Sequence, residues 1–177
     1  MDTVKMFFAG TGGMGILMMG QMIGAAAMLE DKEATFFPSY GPEMRGGTAN
    51  CTVVVSDKPI SSPLIYESDC VVAMTLPSMN KFEKTLKPGG LLMLNESLIR
   101  PEPKRSDIKI IKIPATELAS NELGGSRIAN IIMLGAFIRA ANVVSSESVE
   151  QIIHDVFSGR GEELLKLNLR AFRLWQQ

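Results

Sequence analysis

The sequence predicts one three-layer α/β/α domain spanning residues 1–177, with a mostly parallel sheet and helices on both faces. Three observations predict it. Short apolar runs bounded by Gly or Pro recur at 4–9, 49–55, 69–74, 91–95 and 108–113. Helical stretches alternate with many of them. A glycine-rich turn stands directly between the first run and the first helical stretch. The composition, 46% hydrophobic and 21% charged, fits a globular chain with a full core. With a net charge of -1 and Lys and Arg scattered, there is no basic stripe, so nucleic acid is not an expected partner.

Val4–Ala9 reads as a buried strand, and Gly10-Thr11-Gly12-Gly13-Met14-Gly15 follows at once. A GxGxxG placed after a strand and before a helix gives a Rossmann-like start. Gly10, Gly12, Gly13 and Gly15 allow a tight turn, and the helix N-terminus behind them offers N–H groups to an anion. Residues 13–29 are apolar but interrupted by Gln21 and glycines, which reads as a buried helix running to about Glu30, not a membrane span. Its Gly20, Gly24 and Ala25–Ala27 give a flat surface for close packing on a sheet. A nicotinamide dinucleotide is not expected, because the second strand, about Ala34–Phe37, ends in Pro38-Ser39-Tyr40 without the acid that would hold a ribose.

The most informative stretch is Phe36–Thr48, with three glycines, two prolines, Glu43 and Arg45. Gly and Pro at this density pin the backbone in a specific loop. On residue chemistry alone, the loop is either an ordinary surface turn with a solvated ion pair or a fixed-charge binding element. Beyond it, 49–55 is a β-branched strand, 60–66 a short edge segment containing Pro63, and 69–74 a buried strand. A short helix, the turn Lys87-Pro88-Gly89-Gly90 and the strand 91–95 complete a βαβ rhythm. A Pro-rich connection at 100–105 leads to an edge strand at 108–113 and a short helix from Pro114. Gly124-Gly125 breaks that helix, and Ser126 is placed to N-cap the next, about Arg127–Ala141.

That helix is apolar on nearly every side, and so could bury against the sheet on one side and another chain on the other. Asn130 in its first turn must then be paired, with a neighbouring backbone or with the 36–48 loop. Val149, Ile152, Ile153, Val156 and Phe157 form one helical stripe, from which His154, the only histidine, is excluded. The last helix, Glu162–Trp175, has a wide apolar face. Cys51 and Cys70 lie in apolar runs without CxxC spacing and read as buried, inert thiols. No catalytic constellation and no metal-ligand cluster appear. No signal-peptide pattern opens the chain, so the expected location is cytoplasmic, away from membranes.

Tyr40-Gly41-Pro42-Glu43-Met44-Arg45-Gly46-Gly47, the glycine loop, Leu86–Gly90, and Arg127–Asn130 running into Met133–Ala136 resemble, in order and spacing, the gamma subunits of 2-oxoacid:ferredoxin oxidoreductases. The closest likeness is to the 2-oxoglutarate and branched-chain types. One departure is Met14, where the family usually carries glutamine. The resemblance implies a subunit of a complex that converts a 2-oxoacid and coenzyme A to acyl-CoA and CO₂, passing electrons to ferredoxin. Thiamine diphosphate, Mg and iron–sulfur clusters are then implied for the complex, on alpha, beta and ferredoxin-like delta partners, and none for this chain alone. The expected cofactor-facing residues are Gly10, Gly12, Gly13, Gly15, Tyr40, Gly41, Glu43, Arg45, Gly46, Gly47, Thr48 and Asn130. In isolation the wide apolar faces can pair two copies of the chain. Two other readings stay open: a free-standing nucleotide- or CoA-binding module, and an indolepyruvate-type beta chain.

Overall fold

The structure is a computed structural model and describes residues 3–40 and 47–175. Its strands are β1 (Val4–Thr11), β2 (Glu33–Tyr40), β3 (Thr48–Ser56), β4 (Ser68–Ala73), β5 (Leu86–Asn95) and β6 (Lys109–Ile113). Its helices are α1 (Ile16–Leu29), α2 (Leu76–Phe82), α3 (Ala115–Leu123), α4 (Ala129–Ala141), α5 (Ser146–Phe157) and α6 (Glu162–Arg173). The six strands form one sheet in the order β2-β3-β1-β4-β5-β6. β1, β4, β5 and β6 run parallel, whereas β3 is antiparallel to both β1 and β2. β2 and β3 are therefore a hairpin laid beside β1, and β2 is an open edge.

Several expectations change here. Segment 60–66 forms no strand; it is bends and coil. β2 runs on through Pro38, which is paired opposite Cys51; an edge strand tolerates proline because its outer side needs no ladder bond. Lys87–Gly90 belongs to β5 as a bulge, since Ser68 pairs with Leu86 while Cys70 pairs with Leu91. The Gly89 N–H then donates to the Asp107 carbonyl (2.7 Å), and Lys87 reaches Asp69 (2.7 Å). Ser126 does not cap α4. It opens a 3₁₀ turn, Ser126–Ile128, and α4 begins after it without a side-chain cap.

The helices are unequally shared between the two faces. Met6 and Phe8 of β1, Val53 of β3, Val72 of β4 and Met93 of β5 face a large core built with α1, α4, α5 and α6. Phe7, Ala9, Val71 and Leu92 face a smaller one closed by Met79 and Phe82 of α2 and by Ile99. Gly20 lets α1 lie on the hairpin, since a Cβ there would stand 2.6 Å from the Cys51 Sγ. α4 is buried along its whole first ten residues, Ala129–Ile138, by this chain's own elements. A second chain is thus not needed to cover it. Among the large apolar side chains left exposed, Met28, Leu29 and Phe37 lie together at the β2 edge and the end of α1.

The turn after α1 is tied to the α4–α5 connection by charge. The Glu30 carboxylate accepts from the Ser145 N–H (2.7 Å) and from Lys32 (2.7 Å), whose ammonium also donates to the Val143 carbonyl (2.9 Å). Burial pulls the Glu30 carboxyl upward, but the Lys32 ammonium and the Ser145 and Ser148 groups outweigh it and hold it at about 2, against 4.5. This clamp contributes in full above pH 4.5 and is lost as pH falls from there toward 2. Partial solvation limits it to about 1–2 kcal/mol. Glu30→Gln should therefore lower the Tm at pH 6, and the gap from the parent chain should narrow steadily as pH falls from 4.5 toward 2. A gap of constant size would remove Glu30 from the acid response. No helix among the described residues is long and apolar enough to cross a membrane.

Candidate functional site

The carboxyl edge of the sheet gathers the candidate residues. Gly10 is still inside β1, opposite Ala49, and its missing side chain leaves room for Ile16 and Met74. The turn proper is Gly12–Gly15. The Gly12 N–H donates to the Gly47 carbonyl (2.9 Å), and Thr11 pairs with Thr48. The glycine loop and the end of the 36–48 loop are thus neighbours, through β3 beside β1. Tyr40 closes β2 opposite Ala49, while Gly41, Glu43, Arg45 and Gly46 lie outside the described residues.

Gly15 is the N-cap of α1 at φ 72°, with no side-chain cap. The first-turn N–H groups of a helix have no acceptor within it, and they carry the positive end of its dipole. Behind Gly15 stands Asn130, 5% exposed, whose Nδ2 donates to the Gly15 carbonyl (3.4 Å). Asn130 thus pairs with a neighbouring backbone, that of the glycine loop. A Cβ on residue 15 would fall 2.3 Å from that Nδ2, so glycine is required twice over, by conformation and by space.

Two open clefts flank this arrangement. The larger, about 600 Å³, runs from Gly13 and Gly15 past Gly124–Arg127 to an apolar wall of Met18, Phe157, Leu164 and Leu167, with Asn168 in its lining. The smaller, about 320 Å³, lies between Met14, Met74, Leu98 and Thr116 and shares Gly13, Ser126, Arg127 and Asn130 with the first. Met14 gives that cleft a thioether. In the sequence Arg127 stands out only as the first residue of the Arg127–Asn130 motif and not as a site residue, and Asn168 carries no signal beyond its place in the last helix. Cys51 and Cys70 are both buried, on strands separated by β1, and burial pushes both thiols up to about 12. They do not fit a cluster site, which needs four thiolates. No group of three or more His, Cys, Asp or Glu placed to hold a metal occurs among the described residues.

With this geometry the relatives are informative. The sequence pattern of the pyruvate ferredoxin/flavodoxin oxidoreductase family matches residues 5–174. The chain is 40% identical over 166 residues to 2-oxoglutarate synthase subunit KorC of Methanocaldococcus jannaschii, covering 93% of this chain and 87% of that one. It is 34% identical over 168 residues to ketoisovalerate oxidoreductase subunit VorA of Methanothermobacter marburgensis, of which it spans only 34%. Among solved structures, it superposes on the gamma subunit of a keto/oxoacid ferredoxin oxidoreductase from Geobacter sulfurreducens with a TM-score of 0.81 at 31% identity, covering 97% of this chain and 95% of that one. The 2-oxoglutarate:ferredoxin oxidoreductase of Magnetococcus marinus, solved with 2-oxoglutarate, coenzyme A and succinyl-CoA bound, gives a TM-score of 0.90 at 26% identity, over 97% of this chain and 30% of that one. A sheet with an inserted hairpin, a glycine turn locked by Asn130 and a match from residue 5 to residue 174 converge: the chain belongs to the pyruvate ferredoxin/flavodoxin oxidoreductase family.

Proposed function

We propose that this chain is the gamma-type subunit of a cytoplasmic 2-oxoacid:ferredoxin oxidoreductase, with 2-oxoglutarate the favoured substrate. The observation that carries this reading is the near end-to-end likeness to KorC, together with the Geobacter gamma subunit's fold. In the complex, thiamine diphosphate, Mg and the iron–sulfur clusters sit on alpha, beta and delta partners. Thiamine diphosphate supplies the carbanion chemistry there. This chain's own contribution is positional. The glycine loop presents N–H groups to an anionic group such as a phosphate of coenzyme A, and Asn130 holds that loop in place. On this reading residues 39–48 face a partner subunit, where Glu43 and Arg45 contribute fixed charge. Arg45 brings a permanent cation and a fork of donors suited to carboxylate or phosphate.

Reconstitution tests this. The purified chain alone, given thiamine diphosphate, coenzyme A and ferredoxin, should reduce no ferredoxin with any 2-oxoacid. Adding it to the alpha, beta and delta subunits should restore turnover with 2-oxoglutarate. Within that assembly, Arg45→Ala should lower turnover or coenzyme A affinity by about tenfold while the free subunit keeps its Tm. Turnover by the isolated chain, or full turnover by the partners without it, would refute the accessory role. Unchanged kinetics for Arg45→Ala would leave that residue an ordinary loop cation.

A further inference from the structure

We propose that the open edge of β6 is a docking site for an extended segment of another protein in which acidic and apolar residues alternate. The segment adds to the sheet as a further strand, with its carboxylates over Lys109 and Arg139.

The backbone of this edge is available. β6 closes the sheet on the side opposite β2 and has only β5 as a neighbour. The Ile113 carbonyl points toward the β5 side, where it accepts from the Glu96 N–H (2.8 Å). The Asp107 carbonyl does the same, accepting from the Gly89 N–H (2.7 Å). Backbone polar groups alternate sides along a strand, so the odd-numbered residues face β5. Ile110 and Lys112 then present their N–H and C=O groups outward, and an added strand would satisfy all four.

Charge selects which strand. A groove of about 400 Å³ runs along this edge, lined by Lys109, Lys112, Arg139 and Trp175 among others. Glu102 neutralises Lys112, and Glu150 is held by Arg173. Lys109 and Arg139 have no ion pair among the described residues. The Arg139 guanidinium lies over the Phe172 ring and gives Nη2 to the Phe172 carbonyl (2.9 Å), while its buried Nε has no acceptor. Burial pulls its pKa below the usual guanidinium value, against the field of Glu150. Carboxylates brought into the groove compensate both cations. A second copy of this chain would instead add its own Lys109 and Arg139 to the same edge, and like charge opposes such self-pairing.

Side-chain alternation sets the pattern of the segment. Ile111 and Ile113 pack on the large core and Ile110 on the smaller one. Lys109 therefore shares a face with Ile111, on the side of α4, which carries Arg139. Lys112, already matched, shares the other face with Ile110. Acids of the added strand belong on the first face and apolar side chains beside Ile110 on the second. Five residues match the length of β6.

The only tryptophan of the chain, Trp175, lines the groove and reports on its occupation. The full chain is titrated at low salt with acetyl-Glu-Val-Glu-Val-Glu-amide, and with the same peptide carrying Gln or Lys in place of Glu. The acidic peptide should change Trp175 fluorescence saturably and bind at least about tenfold more tightly than the Gln peptide, with the Lys peptide silent. The Ile110 and Lys112 amides should gain protection from hydrogen exchange when it binds. Lys109→Gln, at an exposed position, should weaken it by about threefold and Arg139→Gln by about tenfold. Absence of saturable binding, equal affinity for the Glu and Gln peptides, or indifference to Lys109→Gln overturns the proposal. A fluorescence change without protection of the two amides overturns strand addition. Protection that grows with protein concentration and without peptide would assign the edge to a second copy, and overturns the acidic partner.

Discussion

Gly135→Ala should destabilise the chain by about 2–4 kcal/mol, although alanine is the better helix former by about 1 kcal/mol. Residue 135 is where α4 and α6 touch backbone to backbone. A Cβ there would stand 1.9 Å from the Phe172 carbonyl oxygen and 2.8 Å from its carbon. Neither atom can rotate away, because they are main chain. The Phe172 carbonyl also accepts from the Arg139 guanidinium (2.9 Å), and its ring is fully buried. Relief therefore means moving α6, which repacks the wall of the larger cleft. For a chain of this size the Tm should fall by roughly 5–12 °C. Gly24→Ala is the control on the same chemistry. A Cβ at 24 meets nothing within 4 Å, so helix propensity acts alone and the Tm should rise. A Gly135→Ala chain that melts with or above the parent would show that α6 is not held against α4 at this point.

Gly15→Ala should cost a comparable amount, about 2–4 kcal/mol, and should act on the site directly. Two penalties add. A residue with a Cβ pays about 1–2 kcal/mol to sit at the left-handed φ of 72°. The methyl would also overlap the Asn130 amide, 2.3 Å from its nitrogen and 2.9 Å from its carbon. Asn130 is buried and bonded to the Gly15 carbonyl, so it cannot swing aside cheaply. A double-mutant cycle separates the penalties. In an Asn130→Ala background the overlap disappears, and Gly15→Ala should then cost only the conformational part, about 1–2 kcal/mol. Additive losses would mean that the amide does not press on the glycine. Phosphate affinity should follow the same pattern, weakened in the single variant and partly restored in the double.

What could be read from the sequence follows from how local its causes are. Apolar runs of strand length, the glycine turn between β1 and α1, and the stripe of α5 are set within a few residues, and they stand where periodicity placed them. The Tyr40–Gly47 motif and the glycine loop were legible as residue types, and so was the family likeness. Three things were decided only by tertiary packing. The 49–55 run is β-branched in either direction, so the sequence carried no signal that β3 inserts antiparallel between β1 and β2. α4, apolar all round, looked like a surface awaiting a second chain, but α5 and α6 fold back over it, and a hydrophobic helix does not encode which chain covers it. The larger cleft exists because Arg127, Asn130 and Asn168, drawn from a turn and two helices, converge on a loop more than a hundred residues earlier in sequence, as the Asn130–Gly15 bond shows. Backbone hydrogen bonding and hydrophobic period act over one element and leave a mark in the sequence. A site assembled from elements far apart in the chain is fixed by how they pack, and single residues such as Arg127 acquire their meaning only there.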